Sequence, residues 1–291
     1  MWLVIGGESE IGSAVHRHFR ECREPALATT RRQKLAGVER PYLDIASSLE
    51  HWVPPADTRG ACIAAAVARL SECAADPAGS ALINVDSTLR LIDGLLARGV
   101  YVVYLSTNQV FDGSVPNVPA DAPVNPVSEY GKQKARAEKG VRALMKQGAP
   151  LSILRLAKVI SPRMPLLKDW VETLATGHPI RAFHDMMVAP APISTVTEAI
   201  AALMRGASRG IYQLTGPRDV SYADVGRYIA QQLGVDCNLV KTVSAKSLGM
   251  PIGATPRHTT LDGTTLRAAH GIVAPDVWQV LNPVLSETAA R

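Results

Sequence analysis

The stretch WLVIGGESEIG, residues 2–12, runs four apolar residues into a glycine turn and out into a helical pattern. "WLVI" (2–5) reads as a strand, and "IGSAVHRHFREC" (11–22) as an amphipathic helix. Gly6 and Gly12 fit the outer places of a G-x-x-G-x-x-G turn, with Ser9 in the middle place. Such a turn lets the backbone approach a pyrophosphate, whose charge then meets the helix N-terminus. Ser9 is small enough to hydrogen-bond a phosphate oxygen, yet it also narrows the approach. A tight strand-to-helix turn that binds nothing is the alternative reading of the same residues.

Apolar runs alternate with helical patterns through the first half: "ALAT" (26–29), "ACIAAAV" (61–67), "YVVYLST" (101–107) and "LSILRLA" (151–157). Between two of them lies the amphipathic "STLRLIDGLLARG" (87–99). Continuous apolar strands separated by helices indicate a parallel sheet buried on both faces. The expected class is α/β, doubly wound, with ligands at the carboxyl ends of the strands. After about residue 160, proline-rich turns such as "SPRMPLL" (161–167) and "APAPIS" (189–194) break the pattern. The expected division is a dinucleotide-binding domain over 1–160 and a smaller, irregular lobe over 161–291. A strand and helix around 189–213 are candidates to return to the main sheet.

Bulk properties narrow the function classes. The 291 residues are 47% hydrophobic and 20% charged, which suits a globular chain with a substantial core. A net charge of +5 suits a phosphate-bearing small ligand. No basic run carries interleaved aromatics, so nucleic acid is not an expected partner. Cys22, Cys62, Cys73 and Cys237 are scattered without paired metal spacing, so reduced thiols and no metal are expected. No apolar stretch reaches membrane-spanning length, and the expected compartment is the cytoplasm.

In "SEYGKQKARAEKG" (128–140), Tyr130 and Lys134 are four residues apart and share one helix face. Lys132 and Lys139 suit a solvated face. Spacing alone leaves Tyr130 and Lys134 open between such a face and a phenol with a pKa-lowering partner.

Taken in chain order, the glycine turn, "LSTNQVFDG" (105–113) and "EYGKQKARAE" (129–138) resemble the extended short-chain dehydrogenase/reductase family. The branch they are most similar to is that of the dTDP-4-dehydrorhamnose reductases and related nucleotide-sugar enzymes. "YLDIAS" (42–47), "LRLAKVISP" (154–162), "GIYQLTGP" (210–217) and "PRHTTLD" (256–262) extend the resemblance over nearly the whole chain. It implies a Rossmann-type sheet with a substrate-binding C-terminal lobe, and an NAD(P)-dependent oxidoreductase. The implied catalytic residues are Thr107, Tyr130 and Lys134. An ammonium beside Tyr130 would favour the phenolate and bring a proton donor toward neutrality. Thr107 would align the carbonyl oxygen, and Lys134 would also hold the cofactor ribose.

The resemblance further implies cofactor contacts from Gly6, Ser9, Glu10, Ile11 and Gly12 in the first turn. Asp44, at the end of an expected strand in "YLDI" (42–45), and Ile45 would meet adenine, and small Ala64, Ala65 and Ala66 would let the strand pass close to the cofactor. Asn84 would lie near the active site. In "LATTRRQK" (27–34), Thr29 and Thr30 stand where an NAD-preferring enzyme carries an acid, followed by Arg31 and Arg32. Guanidinium groups suit a 2′-phosphate, so NADP(H) is the expected cofactor, with NAD(H) the weaker alternative. Asn108 and Gln109, implied substrate contacts, replace the aspartate and tyrosine usual beside the substrate in the reductase branch. Lys158 and Arg257 are candidates for a substrate diphosphate, and His184 with Asp185 in "AFHDMM" (182–187) is a further candidate pair.

The expected activity is NADPH-dependent reduction of a nucleotide-activated 4-keto-6-deoxysugar, with a homodimer as a candidate assembly. The alternatives are an NAD-retaining epimerase or dehydratase, and a catalytically silent NADP-binding regulatory subunit.

Overall fold

The computed structural model describes the chain apart from residues 48, 50, 251, 252, 254, 290 and 291 and the side chains of 287–289. Its centre is a six-stranded, all-parallel sheet. The strands are β1 (Trp2–Ile5), β2 (Ala26–Ala28), β3 (Gly60–Ile63), β4 (Tyr101–Thr107), β5 (Leu151–Leu156) and an edge strand, Gly210–Leu214. The order across the sheet is β2, β1, β3, β4, β5 and the edge strand. Val4 lies opposite Ala28 on one side and Cys62 on the other, and Thr107 ends β4 opposite Leu156. Every residue of β1, β3, β4 and β5 is buried, as continuous apolar runs covered on both faces must be.

One face is covered by α1 (Glu10–Glu21) and the helix Ile193–Gly206, which pack Val15, Phe19, Val196 and Ile200 onto the sheet. The helices Thr88–Leu96 and Glu129–Lys146 cover the other through Leu91, Leu95, Ala137 and Val141. The chain therefore returns to the sheet after residue 190, by a helix and a parallel strand on β5. A separate apolar cluster joins the helices Pro165–Ala175, Tyr222–Gln232 and Val277–Ala289 around Trp170, Leu174, Ile229 and Leu281.

Two expected strands are shorter than their apolar letters. The run at 61–67 leaves the sheet at Ile63, and Ala64–Val67 follow an irregular path. "YLDIAS" forms no strand beyond a single parallel bridge between Thr30 and Tyr42. The reason is local: Asp44 accepts from Ala46 N–H (3.0 Å) and Ser47 Oγ donates to Asp44 O (2.7 Å). That turn competes with ladder pairing. Because β2 and β3 flank β1 on opposite sides, the strand order reverses there, and a crevice opens at their carboxyl ends.

Candidate active site and dinucleotide cleft

The turn between β1 and α1 is built to bring backbones together. Gly6 has φ +88°, and a Cβ there would lie 2.6 Å from Ala65 N. A Cβ on Gly12 would collide with Gly6 O. Ser9 is folded back inside the turn: its Oγ donates to Gly6 O (2.8 Å) and accepts from Gly12 N–H (3.0 Å). It is the N-cap of α1, so the side chain that threatened to narrow the approach is used to hold the turn. Glu10, in the first helical turn, accepts a short hydrogen bond from Ser161 Oγ.

Beyond this turn lies a cavity of about 310 Å³. Gly6, Ser9, Arg31 and Arg32 line one side, and Asp44, Ile45, Ala64, Ala65 and Ala66 the other. Thr29 and Thr30 are almost fully buried and work on the backbone: Gly6 N–H donates to Thr29 Oγ1 and Arg32 N–H to Thr30 Oγ1, both at 3.0 Å. The two arginines are thereby presented at the rim of the cleft. These features suit a dinucleotide: a glycine cradle, a helix N-terminus and a cationic rim in one groove.

A smaller cavity of about 160 Å³ shares Ala64, Ala65 and Ala66 with the first, and Thr107, Tyr130, Lys134 and Ile11 line it. The structure thus brings the three implied catalytic residues to one place, joined to the cleft through the alanine stretch. Ser128 caps the long helix by accepting from Gly131 N–H (3.0 Å), which sets Tyr130 and Lys134 in its first two turns. Thr107 Oγ1 accepts from Gln109 N–H (3.2 Å) and donates weakly to Asn108 Oδ1 (3.4 Å).

The electrostatics differ from the sequence expectation. Lys134 Nζ donates to Leu105 O at 2.6 Å and stands 4.1 Å from the centroid of the Tyr104 ring. Burial disfavours its charge and lowers its pKa to about 7, against the opposing pull of Glu138. The Tyr130 phenol is raised above its ordinary pKa, by burial first and by Cys73 second. Lys134 Nζ is directed at a strand carbonyl, and burial disfavours the charged form of both groups.

Several residues that support the site escaped the sequence reading. Glu138, one turn after Lys134, forms a buried ion pair with Arg155 at 2.7 Å and accepts from Ser106 Oγ at 2.6 Å. Arg155 also reaches Gln213 and Ala120 O. An arginine inside the apolar run "LSILRLA" was the available signal, since a charge in a buried strand requires a partner. Asn84, which the resemblance did place near the active site, is 1% exposed, grips both backbone groups of Val67 and donates to Gln133 Oε1 at 2.7 Å. It holds the irregular stretch that walls the cleft.

The substrate candidates are more dispersed. Asn108 and Gln109 lie in a short turn directly after Thr107, with Gln109 Oε1 accepting from Ser128 Oγ (3.2 Å). Lys158 is exposed yet crowded enough that its pKa is lowered, with Glu10 pulling the other way. Arg257 is exposed in a loop whose neighbour His258 donates its N–H to Gly113 O. Neither Lys158 nor Arg257 lines the two cavities. Asp185 caps the 244–246 turn, and these hydrogen bonds lower its pKa to about 2 despite partial burial. That is a structural use, and His184 beside it points into solvent. Among the described residues, no group of three His, Cys, Asp or Glu could hold a metal ion, and no helix is long and apolar enough to cross a membrane.

Comparison with known proteins gives a consistent picture. The profile of the family described as "RmlD substrate binding domain" matches residues 1–289. A dTDP-4-keto-6-deoxy-D-glucose reductase from Streptomyces niveus is 24% identical, over 99% of this chain and 94% of its own. Methionine adenosyltransferase 2 subunit beta from Xenopus tropicalis is 22% identical, over 88% of this chain and 77% of its own. Among solved structures, MoeE5 in complex with UDP-glucose and NAD superposes with TM-score 0.82 at 21% identity, over 99% of this chain and 98% of its own. A dTDP-4-dehydrorhamnose reductase from Bacillus anthracis in complex with NADP gives 0.81 at 18%, with the same coverage. At such identities the structural likeness establishes the fold.

Proposed function

The chain belongs to the RmlD substrate binding domain family, within the extended short-chain dehydrogenase/reductases, and from that premise we propose that it is an NADPH-dependent reductase of a nucleotide-activated 4-keto-6-deoxysugar. The observation that carries the reading is the gathering of Thr107, Tyr130 and Lys134 around one cavity that shares Ala64, Ala65 and Ala66 with the glycine-turn cleft. The dinucleotide, when bound, supplies the hydride. Tyr130 delivers the proton to the developing alkoxide, and Thr107 Oγ1 orients the carbonyl oxygen by hydrogen bonding. Lys134, swung from Leu105 O, brings its ammonium to the ribose and the phenol. Lys158 and Arg257 are assigned to the substrate's diphosphate, Lys158 from its place beside Glu10.

The test is NADPH oxidation by the purified protein with dTDP- and UDP-linked 4-keto-6-deoxysugars, with NADH in parallel. Turnover with at least one of them, tenfold better with NADPH, is the expected result. A protein isolated with stoichiometric NAD would instead support the epimerase reading. The similarity to a methionine adenosyltransferase subunit favours one second reading, a regulatory protein on the same fold. Tight NADPH binding without turnover on any of these sugars would select it.

A further inference from the structure

The glycine turn carries an acid whose placement bears on cofactor choice. Gly7 N–H donates to Thr29 O at 3.1 Å, which presses the turn against the end of β2. From there the Glu8 carboxylate reaches Arg32, with Oε1 3.0 Å from Nε. Both side chains line the 310 Å³ cavity, and the Arg32 side chain is 69% exposed against 23% for Glu8. Arg31 lines the same cavity and makes no ion pair among the described residues. The acid absent from the end of β2 is thus supplied from the turn, directly onto one of the two cations presented there.

We propose that Glu8 is a specificity-determining residue, which sets the cleft's discrimination for a ribose 2′-phosphate by holding Arg32 in an ion pair that the phosphate must displace. The inference rests on the nicotinamide-dinucleotide reading of this cleft. A guanidinium grips phosphate through two parallel N–H groups, and a carboxylate on Nε occupies one edge of that fork. Glu8 also adds a like charge beside the incoming phosphate. A ligand lacking the 2′-phosphate does not compete for Arg32 and leaves the pair intact.

The test compares 2′,5′-ADP with 5′-AMP by calorimetry on the wild type, Glu8→Gln and Arg32→Ala. Glu8→Gln should bind 2′,5′-ADP three- to tenfold more tightly and 5′-AMP within twofold of wild type. Arg32→Ala should weaken 2′,5′-ADP at least tenfold. Unchanged affinity of Glu8→Gln for 2′,5′-ADP would overturn the proposal. So would a loss of 5′-AMP affinity beyond threefold in that variant, since Glu8 would then be an acceptor for ribose hydroxyls. Wild type binding both probes equally, with Glu8→Gln still gaining for 2′,5′-ADP, would refute the NADPH preference and support the role of Glu8. Binding of neither probe would overturn both.

Discussion

Tyr130 and Lys134 carry the chemistry proposed here, and each predicts its own signature. Tyr130→Phe removes the proton donor while the ring still packs. Turnover should fall by roughly two to four orders of magnitude, with the dissociation constant for NADPH unchanged; near-normal turnover would remove Tyr130 from the mechanism. Lys134 gives a prediction on stability. Its pKa is about 7 in the folded protein, below the ordinary 10.5. Between those values the unfolded chain binds more protons, so stability rises with pH across that window. The penalty for charging the buried amine is full below pH about 7 and gone above about 10.5. Relative to wild type, Lys134→Met should therefore melt higher at pH 7 than at pH 10. A melting-temperature difference independent of pH would show that Lys134 is not desolvated in the folded protein.

The elements around the cleft are held by a few polar side chains whose loss has a definite cost. Ser9 caps α1 and closes the glycine turn at once. Ser9→Ala should cost about 1 kcal/mol of stability, and Ser9→Gly only a few tenths. The same pair tests whether the serine obstructs the cradle: dinucleotide affinity in Ser9→Gly should stay within twofold of wild type. Asn84 ties the 64–67 stretch to the helices behind it through Val67 and Gln133. Asn84→Ala leaves the part-buried Val67 backbone groups and the buried Gln133 Oε1 without their partner, a loss of about 1–3 kcal/mol. Dinucleotide affinity should fall in step, because Ala64, Ala65 and Ala66 wall both cavities. Chemical denaturation with parallel binding measurements checks both.

On the scale of the whole molecule, the buried Glu138–Arg155 pair ties the long helix to β5, and its partners extend to β4, the edge strand and the 120 loop. Removing one charge strands the other, so Glu138→Ala should cost about 3–5 kcal/mol. Replacing both by apolar residues, Glu138→Leu with Arg155→Met, should cost less than the single change in equilibrium unfolding. A double variant as unstable as the sum of its singles would contradict this account.

How much of this was legible beforehand follows from the range of each interaction. The strands at 2–5, 101–107 and 151–156 and the glycine turn were fixed by local pattern, because continuous apolar runs and glycine stereochemistry act within a few residues. The lost strand at 42–45 and the early end of β3 were decided by a competing Asp44 turn and by tertiary packing. Tyr130 and Lys134 were found by spacing and resemblance, but the direction of the Lys134 ammonium was not. It depends on Leu105, Tyr104 and Glu138, which meet it only after the helix docks on the sheet. Likewise Glu8 and Arg32 stand on opposite sides of a helix and strand in the chain. Their ion pair exists because the parallel β1–β2 pairing brings the glycine turn to the end of β2. Local stereochemistry and period set the main strands and the glycine turn, while the proposed reacting groups were named by the resemblance. Charge states and partners were decided only by the tertiary structure, since desolvation and long-range contacts arise there alone.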